Sequence, residues 1–240
     1  MNVIDFHSHI LPGIDDGSWN IEMSEQMLEM SASHGVNVIV ATPHFYAGRM
    51  TIDGFLKKRA EAYGNIQNAA AKQAIHFVLG AETTFFSGMG NADGLEKLTI
   101  ADTSFLLLEM PFRTWNTGDI REIETLIGRG LKPIMAHIER FYPFQRDKRI
   151  FNTLYSLPVL VQINAEALLH WKTRRLALKL FKEGKAHLLG SDCHNVTSRP
   201  PNLAEGRNII EKKLGNPRLI QIDQLGEEVL EFISSMPPNI

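Results

Sequence analysis

His7 and His9 follow the first apolar run of the chain one residue apart, and Asp192 and His194 repeat that spacing after the last run. Side chains so placed at a strand end can converge on one cation, although either pair alone is equally explained by capping or packing. The intervening apolar runs end alike: His44 follows Ala41-Thr42-Pro43, Glu82 follows Gly80-Ala81, Glu109 follows Leu108, His137 follows Ala136, and Asn164 follows Ile163. The turn after His9 adds Asp15 and Asp16 ahead of Gly17. Taken together, His7, His9, Asp16, His44, Glu82, Glu109, His137, Asp192 and His194 are nine donors, four of them carboxylates. Carboxylates brought to one place repel at high cost unless cations sit among them. Two divalent ions would balance the four charges, and three would leave an excess suited to a phosphate dianion. One ion could not use nine donors, and a mixed imidazole–carboxylate shell suits Mn, Fe or Zn rather than Ca or Mg. Clustered ions polarise phosphoryl oxygens and supply hydroxide near neutral pH, so hydrolysis of a phosphate ester needs no protein nucleophile.

The elements that must position these groups are legible as short runs rich in Val, Ile, Leu and Phe. They fall at Val3–His7, Asn37–Ala41, Phe77–Ala81, Phe105–Glu109, Pro133–Ala136, Val159–Ile163 and His187–Gly190. Runs apolar at nearly every position are expected of parallel strands buried on both faces. Helical segments are expected between them at Glu22–Ser33, Thr51–Lys72 and Ala165–Glu183, with Gly35 and Gly184 where a helix would stop. Met23, Met27 and Met30 fall on one face of the first helix, as core packing requires. Strand alternating with helix predicts an α/β barrel with its chemistry at the C-terminal strand ends, and seven strands rather than eight predict a distorted one.

The chain has 240 residues, and no linker, repeat or low-complexity tract divides it, so residues 1–240 are expected to form one domain. Its net charge of −2 gives no reason to expect nucleic acid or an anionic membrane as the main partner. No apolar run is long enough to insert in a membrane. The single cysteine, Cys193, and a chain that enters its first strand at once predict a cytoplasmic protein. The Pro237-Pro238 end is expected to fray.

His7-Ser8-His9 with Asp16-Gly17, Thr42-Pro43-His44, Gly80-Ala81-Glu82, His137-Ile138-Glu139-Arg140, and Ser191-Asp192-Cys193-His194 with Arg199-Pro200-Pro201 resemble the polymerase-and-histidinol-phosphatase (PHP) superfamily. Within it they look most like bacterial tyrosine-protein phosphatases of capsule and exopolysaccharide synthesis. The similarity runs in order along nearly the whole chain, and its His-Ile-Glu-Arg and Arg-Pro-Pro elements are the specific ones. It implies a distorted, TIM-like (β/α)7 barrel holding three divalent metals, often manganese. By that resemblance His7, His9, Glu82 and Asp192 hold one ion, and Glu82 bridges to a second completed by Glu109 and His137. Asp16, His44 and His194 hold the third; Asp16 is preferred to Asp15 because the family's aspartate immediately precedes the glycine. Arg140 and Arg199 would grip the phosphate. The substrate implied is a phosphotyrosine protein, the phosphorylated cluster of a bacterial tyrosine kinase. Cys193, between Asp192 and His194, departs from the family pattern.

Aromatic residues also follow the strand ends: Phe45, Tyr46, Phe85, Phe86, Phe112, Trp115, Phe141, Tyr142 and Phe144. Most are expected to cover the barrel top, and any left exposed would favour an aromatic phosphoester over a sugar phosphate. Other readings remain. A histidinol-phosphate or other small-molecule phosphatase fits the same donors. An amidohydrolase is disfavoured by the lack of a strand-end lysine. Cys193 and Arg199 satisfy the C-x-x-x-x-x-R spacing of cysteine phosphatases, but no glycine lies between them to wrap a phosphate. A catalytically silent metal-binding or kinase-docking protein is the reading from another class.

Overall fold

The computed structural model describes residues 1–230, so the Pro237-Pro238 end lies outside the described residues. Its strands are β1 (Ile4–Ser8), β2 (Val38–Ala41), β3 (His44–Phe45), β4 (His76–Leu79), β5 (Glu82–Thr84), β6 (Phe105–Glu109), β7 (Lys132–Met135), β8 (Leu160–Asn164) and β9 (Leu188–Gly190), and every pairing is parallel. Hydrogen bonding links them as β1-β2-β4 and as β3-β5-β6-β7-β8-β9. The nine segments make seven passes, as the sequence predicts, because β2 runs on into β3 and β4 into β5. Pro43 has no N–H to give a ladder, so pairing breaks there and resumes beyond it with His44 opposite Glu82. The curled sheet closes at its C-terminal rim, where Ser8 bridges Cys193 and His9 N donates to Cys193 O at 2.9 Å. At the other end β4 and β6 do not pair, and Ile100 fills the gap among Val78 and Leu107.

Alternate residues of each strand face the lumen, apolar below and polar at the rim. Leu107 gives way to Glu109, Leu160 to Gln162 and Asn164, and Leu188 to Asp192. Strand β1 shifts register between Asp5 and Ser8. That irregularity lets Ile4 and Phe6 join the apolar lumen while His7 and His9 turn toward the rim above them.

The α-helices of the described residues are α1 (Ile21–Ser33), α2 (Ile52–Lys72), α3 (Thr117–Gly128), α4 (Arg149–Tyr155), α5 (Ala165–Leu169), α6 (Trp171–Lys182), α7 (Leu203–Leu214) and α8 (Asn216–Leu230), and short 3-10 segments lie at Met89–Asn91, Leu95–Leu98, Ile100–Asp102 and Ile138–Phe144. Asn20 and Thr51 cap α1 and α2 through their side chains, and Gly35 and Gly184 take positive φ just past α1 and α6. The sequence predicts one helix over Ala165–Glu183, but His170 is extended and splits it. The carbonyls freed at the break are taken by Arg174, 2.5 Å from both Leu168 O and Leu169 O, and by Thr173 Oγ1 on Ala167 O. Helix α8 contributes Val229 and Leu230 to the lumen core, and Gly226 admits the Phe6 ring. Among the described residues no helix is long and apolar enough to cross a membrane.

Candidate metal centre

All nine donors meet at the C-terminal mouth. Glu82, fully buried at the start of β5, is the hub. Its Oε1 lies 2.8 Å from His137 Nε2, and its Oε2 lies 3.2 Å from His7 Nε2, 3.3 Å from His9 Nε2 and 2.9 Å from His44 Nδ1. Asp192 divides its two oxygens. Oδ1 faces His9, His7 and His194 at 3.3, 3.6 and 3.6 Å, while Oδ2 accepts from Asn164 Nδ2 at 2.7 Å. Asp16 Oδ1 is 3.6 Å from both His44 Nε2 and His194 Nε2, and Glu109 Oε1 is 3.6 Å from His137 Nε2. Three sets bring candidate ligand atoms within 4.8 Å of one another: His9, Asp16, His44 and His194; His7, His9 and Glu82; and His44, Glu82 and Glu109.

Burial alone would raise the Glu82 carboxyl, yet His7, His137 and His44 hold it well below the ordinary range; Asp192 is depressed in the same way by His7 and His9. Conversely, His9 should lose its proton on burial but is held well above its usual value by Asp15, Asp192 and Glu82. Ionised carboxylates therefore sit locked among imidazoles, the charge pattern that a divalent cation would take over by displacing protons. A second observation tests the fit of metal ions to these residues. His44 Nδ1, Glu82 Oε2 and His194 Nε2 are buried polar atoms without a hydrogen-bond partner, despite their proximity to one another or to Asp16. Buried donors and acceptors are normally satisfied, and three such atoms in one cluster fit ligands awaiting a cation. His137 and Asp192 both adopt positive φ, 29° and 54°, a conformation costing a non-glycine residue ~1–3 kcal/mol and typical of functional sites.

Behind the donors stand groups to which the sequence assigns no role of their own. Asp15 Oδ2 takes His9 Nδ1 at 2.7 Å and the His44 backbone N–H at 2.9 Å, so it fixes the His9 imidazole and the His44 backbone from behind. Its neighbour Asp16, 69% exposed, is the one that faces the mouth. Gln162 Oε1 accepts from the His137 backbone N–H at 2.8 Å and lies 3.2 Å from His7 Nδ1. Asp5 accepts from Ser191 N and Oγ at 2.8 and 2.6 Å, tying β1 to the turn that carries Asp192. Asp5 and Gln162 are the polar residues inside otherwise apolar runs, and that anomaly is the signal that could find them.

The mouth is a cleft of about 380 Å³, lined beyond the donors by Tyr46, Phe112, Arg140 and Arg199. Arg199 NH2 is 2.6 Å and Arg140 NH1 3.3 Å from Asp192 Oδ2, both partly exposed. Phe112, 44% exposed, stacks toward His137 at 6.3 Å with the Arg140 guanidinium 5.3 Å over its ring. Tyr46 backs onto His44 at 5.1 Å. The other aromatics divide: Phe45, Trp115 and Phe141 are buried, Phe85 and Phe86 half-buried, and Phe144 exposed. Tyr142 turns away from the mouth to stack on Phe151 at 3.8 Å.

The cysteine-phosphatase spacing does not form its loop. Cys193 is buried and its thiol is pushed up to about 12 by that burial. The amides of His194 and Asn195 donate to Arg199 O, and those of Thr197, Ser198 and Arg199 to Asn195 Oδ1. No amide fan remains to wrap an anion. Cys193→Ser is expected to keep most of the hydrolytic activity and all of the bound metal; loss of turnover at normal metal content would reinstate the thiol.

The family model for capsular polysaccharide synthesis, CpsB/CapC, matches residues 3–226. The tyrosine-protein phosphatase CpsB of Streptococcus agalactiae is 30% identical, over 92% of this chain and 94% of its own. The tyrosine-protein phosphatase YwqE of Bacillus subtilis is 26% identical over 99% and 96%. Among solved structures, a chain from the crystal structures of YwqE from B. subtilis and CpsB from Streptococcus pneumoniae, both metal-dependent tyrosine phosphatases, matches with a TM-score of 0.84 at 23% identity, covering 95% of this chain and 94% of that one.

Proposed function

We propose that this chain, which belongs to the CpsB/CapC family of capsular polysaccharide synthesis, is a metal-dependent protein-tyrosine phosphatase. The observation that carries the reading is the convergence of nine donors on one mouth, with buried ligand atoms left unpartnered, beside two arginines and two accessible rings. Three divalent ions, manganese foremost with iron or zinc as alternatives, would be held by His7, His9, Glu82 and Asp192; by Glu82, Glu109 and His137; and by Asp16, His44 and His194. When bound, such ions polarise the phosphoryl oxygens and supply the attacking oxygen from water.

The remaining work falls to the chain itself. Arg140 and Arg199 bind the phosphoryl oxygens with guanidinium forks already poised over the cleft. Asp15, Gln162 and Asn164 keep the donors in one orientation. Tyr46 and Phe112 flank the phenol ring, and their apolar area separates phosphotyrosine from phosphoserine. The natural substrate on this reading is a phosphorylated bacterial tyrosine kinase of capsule or exopolysaccharide synthesis, met in the cytoplasm.

A chelator should abolish hydrolysis and Mn²⁺ should restore it best. Phosphotyrosine peptides should exceed phosphoserine peptides in kcat/KM by roughly tenfold to a hundredfold, since burying a ring contributes ~1.5–3 kcal/mol. Phe112→Ala should shrink that preference while sparing small aryl phosphates. Equal rates on both peptides would sink the tyrosine reading, and a clear preference for histidinol phosphate would move the activity to a small-molecule branch.

A further inference from the structure

Helix α6 turns one basic face to solvent. Lys172, Arg175, Lys179 and Lys182 follow at spacings of three, four and three residues, which places them on a single stripe, and all four are exposed. The segment Trp171–Lys182 contains no acidic residue. At the head of the stripe Trp171 is 78% exposed, with Lys172 Nζ 5.6 Å from its ring centroid. The whole chain carries −2, so this is a local excess of positive charge that the net figure conceals.

Neither feature helps the fold. Like charges three and four residues apart repel on a helix, and Lys172 stands in the first turn, at the positive end of the dipole, with Arg175 just beyond it. Only Lys179 has an acidic neighbour, Glu183 at 3.7 Å, which Lys185 shares at 2.9 Å. By contrast the core takes Ala177, Leu180 and Phe181 from α6, and Arg174 closes the α5 break. An indole left in water adds a further unfavourable contact.

We propose that this face docks on an anionic membrane surface, with Lys172, Arg175, Lys179 and Lys182 against lipid headgroups and Trp171 seated at the interface. The tryptophan is what selects a lipid surface over a soluble polyanion: an indole settles between headgroup and acyl chain, whereas a soluble acidic polymer would use the lysines and leave the ring in water. The apolar side of α6 is spent on the barrel, so attachment is peripheral, reversible and weakened by salt. Each basic residue near such a surface contributes about a fivefold factor in partitioning.

The full chain is tested by cosedimentation with vesicles of phosphatidylcholine containing phosphatidylglycerol, against vesicles of phosphatidylcholine alone. Binding is expected only to the anionic vesicles and is expected to fall as salt rises. Lys172→Glu/Arg175→Glu/Lys179→Glu/Lys182→Glu should abolish it while leaving hydrolysis of a small aryl phosphate intact. If that variant fails to fold, the milder pair Lys172→Ala/Arg175→Ala should still lose about twenty-five-fold in binding, two factors of about five. A vesicle-induced blue shift in indole emission should survive Trp19→Phe and vanish in Trp171→Phe. Failure to pellet with anionic vesicles, equal binding to neutral ones, retention by heparin without vesicle binding, or binding indifferent to the stripe variants would each overturn the proposal.

Discussion

Glu82→Gln should lose bound metal and, with it, activity by on the order of 10³-fold or more, since Lewis-acid stabilisation is worth several kcal/mol and each ~1.4 kcal/mol is a decade in rate. The substitution keeps the shape of the side chain and removes only its charge and one acceptor oxygen. At this position that is decisive, because the fully buried carboxylate stands between His7, His9, His44 and His137, all within 3.3 Å. An amide cannot serve as a bridging anion, and its NH₂ group would point a donor at imidazoles or at a cation. His7→Ala opens a smaller gap, since His9 and Asp192 remain beside it, so its metal loss should be the lesser. Metal content by elemental analysis, read together with turnover, checks both. Glu82→Gln protein that retains full metal content and near-normal turnover would remove Glu82 from the centre of the site.

The strand ends were readable because parallel strands buried on both faces stay apolar to the rim, where the first polar residue marks the mouth. Glu109 after Phe105–Leu108 and Asn164 after Val161–Ile163 show this well, although Gln162 breaks the second run from inside. Boundaries shift by a residue, as in Val3–His7 against Ile4–Ser8, because the register change between Asp5 and Ser8 depends on pairing partners distant in the chain. Pro43 and Gly80 divide two passes into β2/β3 and β4/β5, a break that only hydrogen-bond partners define. Helices α7 and α8 follow the last strand, where alternation with strands no longer announces them. Within the site, spacing alone cannot tell Asp15 from Asp16. One turns in to hold His9 and the other faces His44 and His194, a division made by the fold of the 13–18 turn. Tyr142 illustrates the opposite limit: like Phe112 it belongs to the loop that follows a strand end, yet it packs on Phe151 instead of the mouth. Proximity to a strand end places the backbone at the rim and leaves the side chain's direction undetermined.

Arg140→Ala should keep its full complement of metal and still lose on the order of 10²-fold in kcat/KM, the scale expected when one charge donor to a transition state is removed. The geometry separates this residue from the donors it accompanies. Its guanidinium reaches only Oδ2 of Asp192, at 3.3 Å, while Oδ1 of that carboxylate faces His7, His9 and His194. Arg199 NH2 and Asn164 Nδ2 occupy the same Oδ2 at 2.6 and 2.7 Å, so Asp192 stays oriented when Arg140 is cut back. The residue is 44% exposed over the cleft and stacked 5.3 Å from Phe112, which holds the fork in place without spending its donors. Arg140→Lys should recover only part of the loss, because an ammonium restores charge but not the two-pronged grip on a phosphoryl group. The Arg199→Ala variant should lose activity comparably but disturb Asp192 more, through the shorter contact. Metal analysis beside kinetics on a phosphotyrosine peptide separates the cases: wild-type turnover in Arg140→Ala would strip the residue of its clamp role, and metal loss would make it part of the ligand scaffold instead.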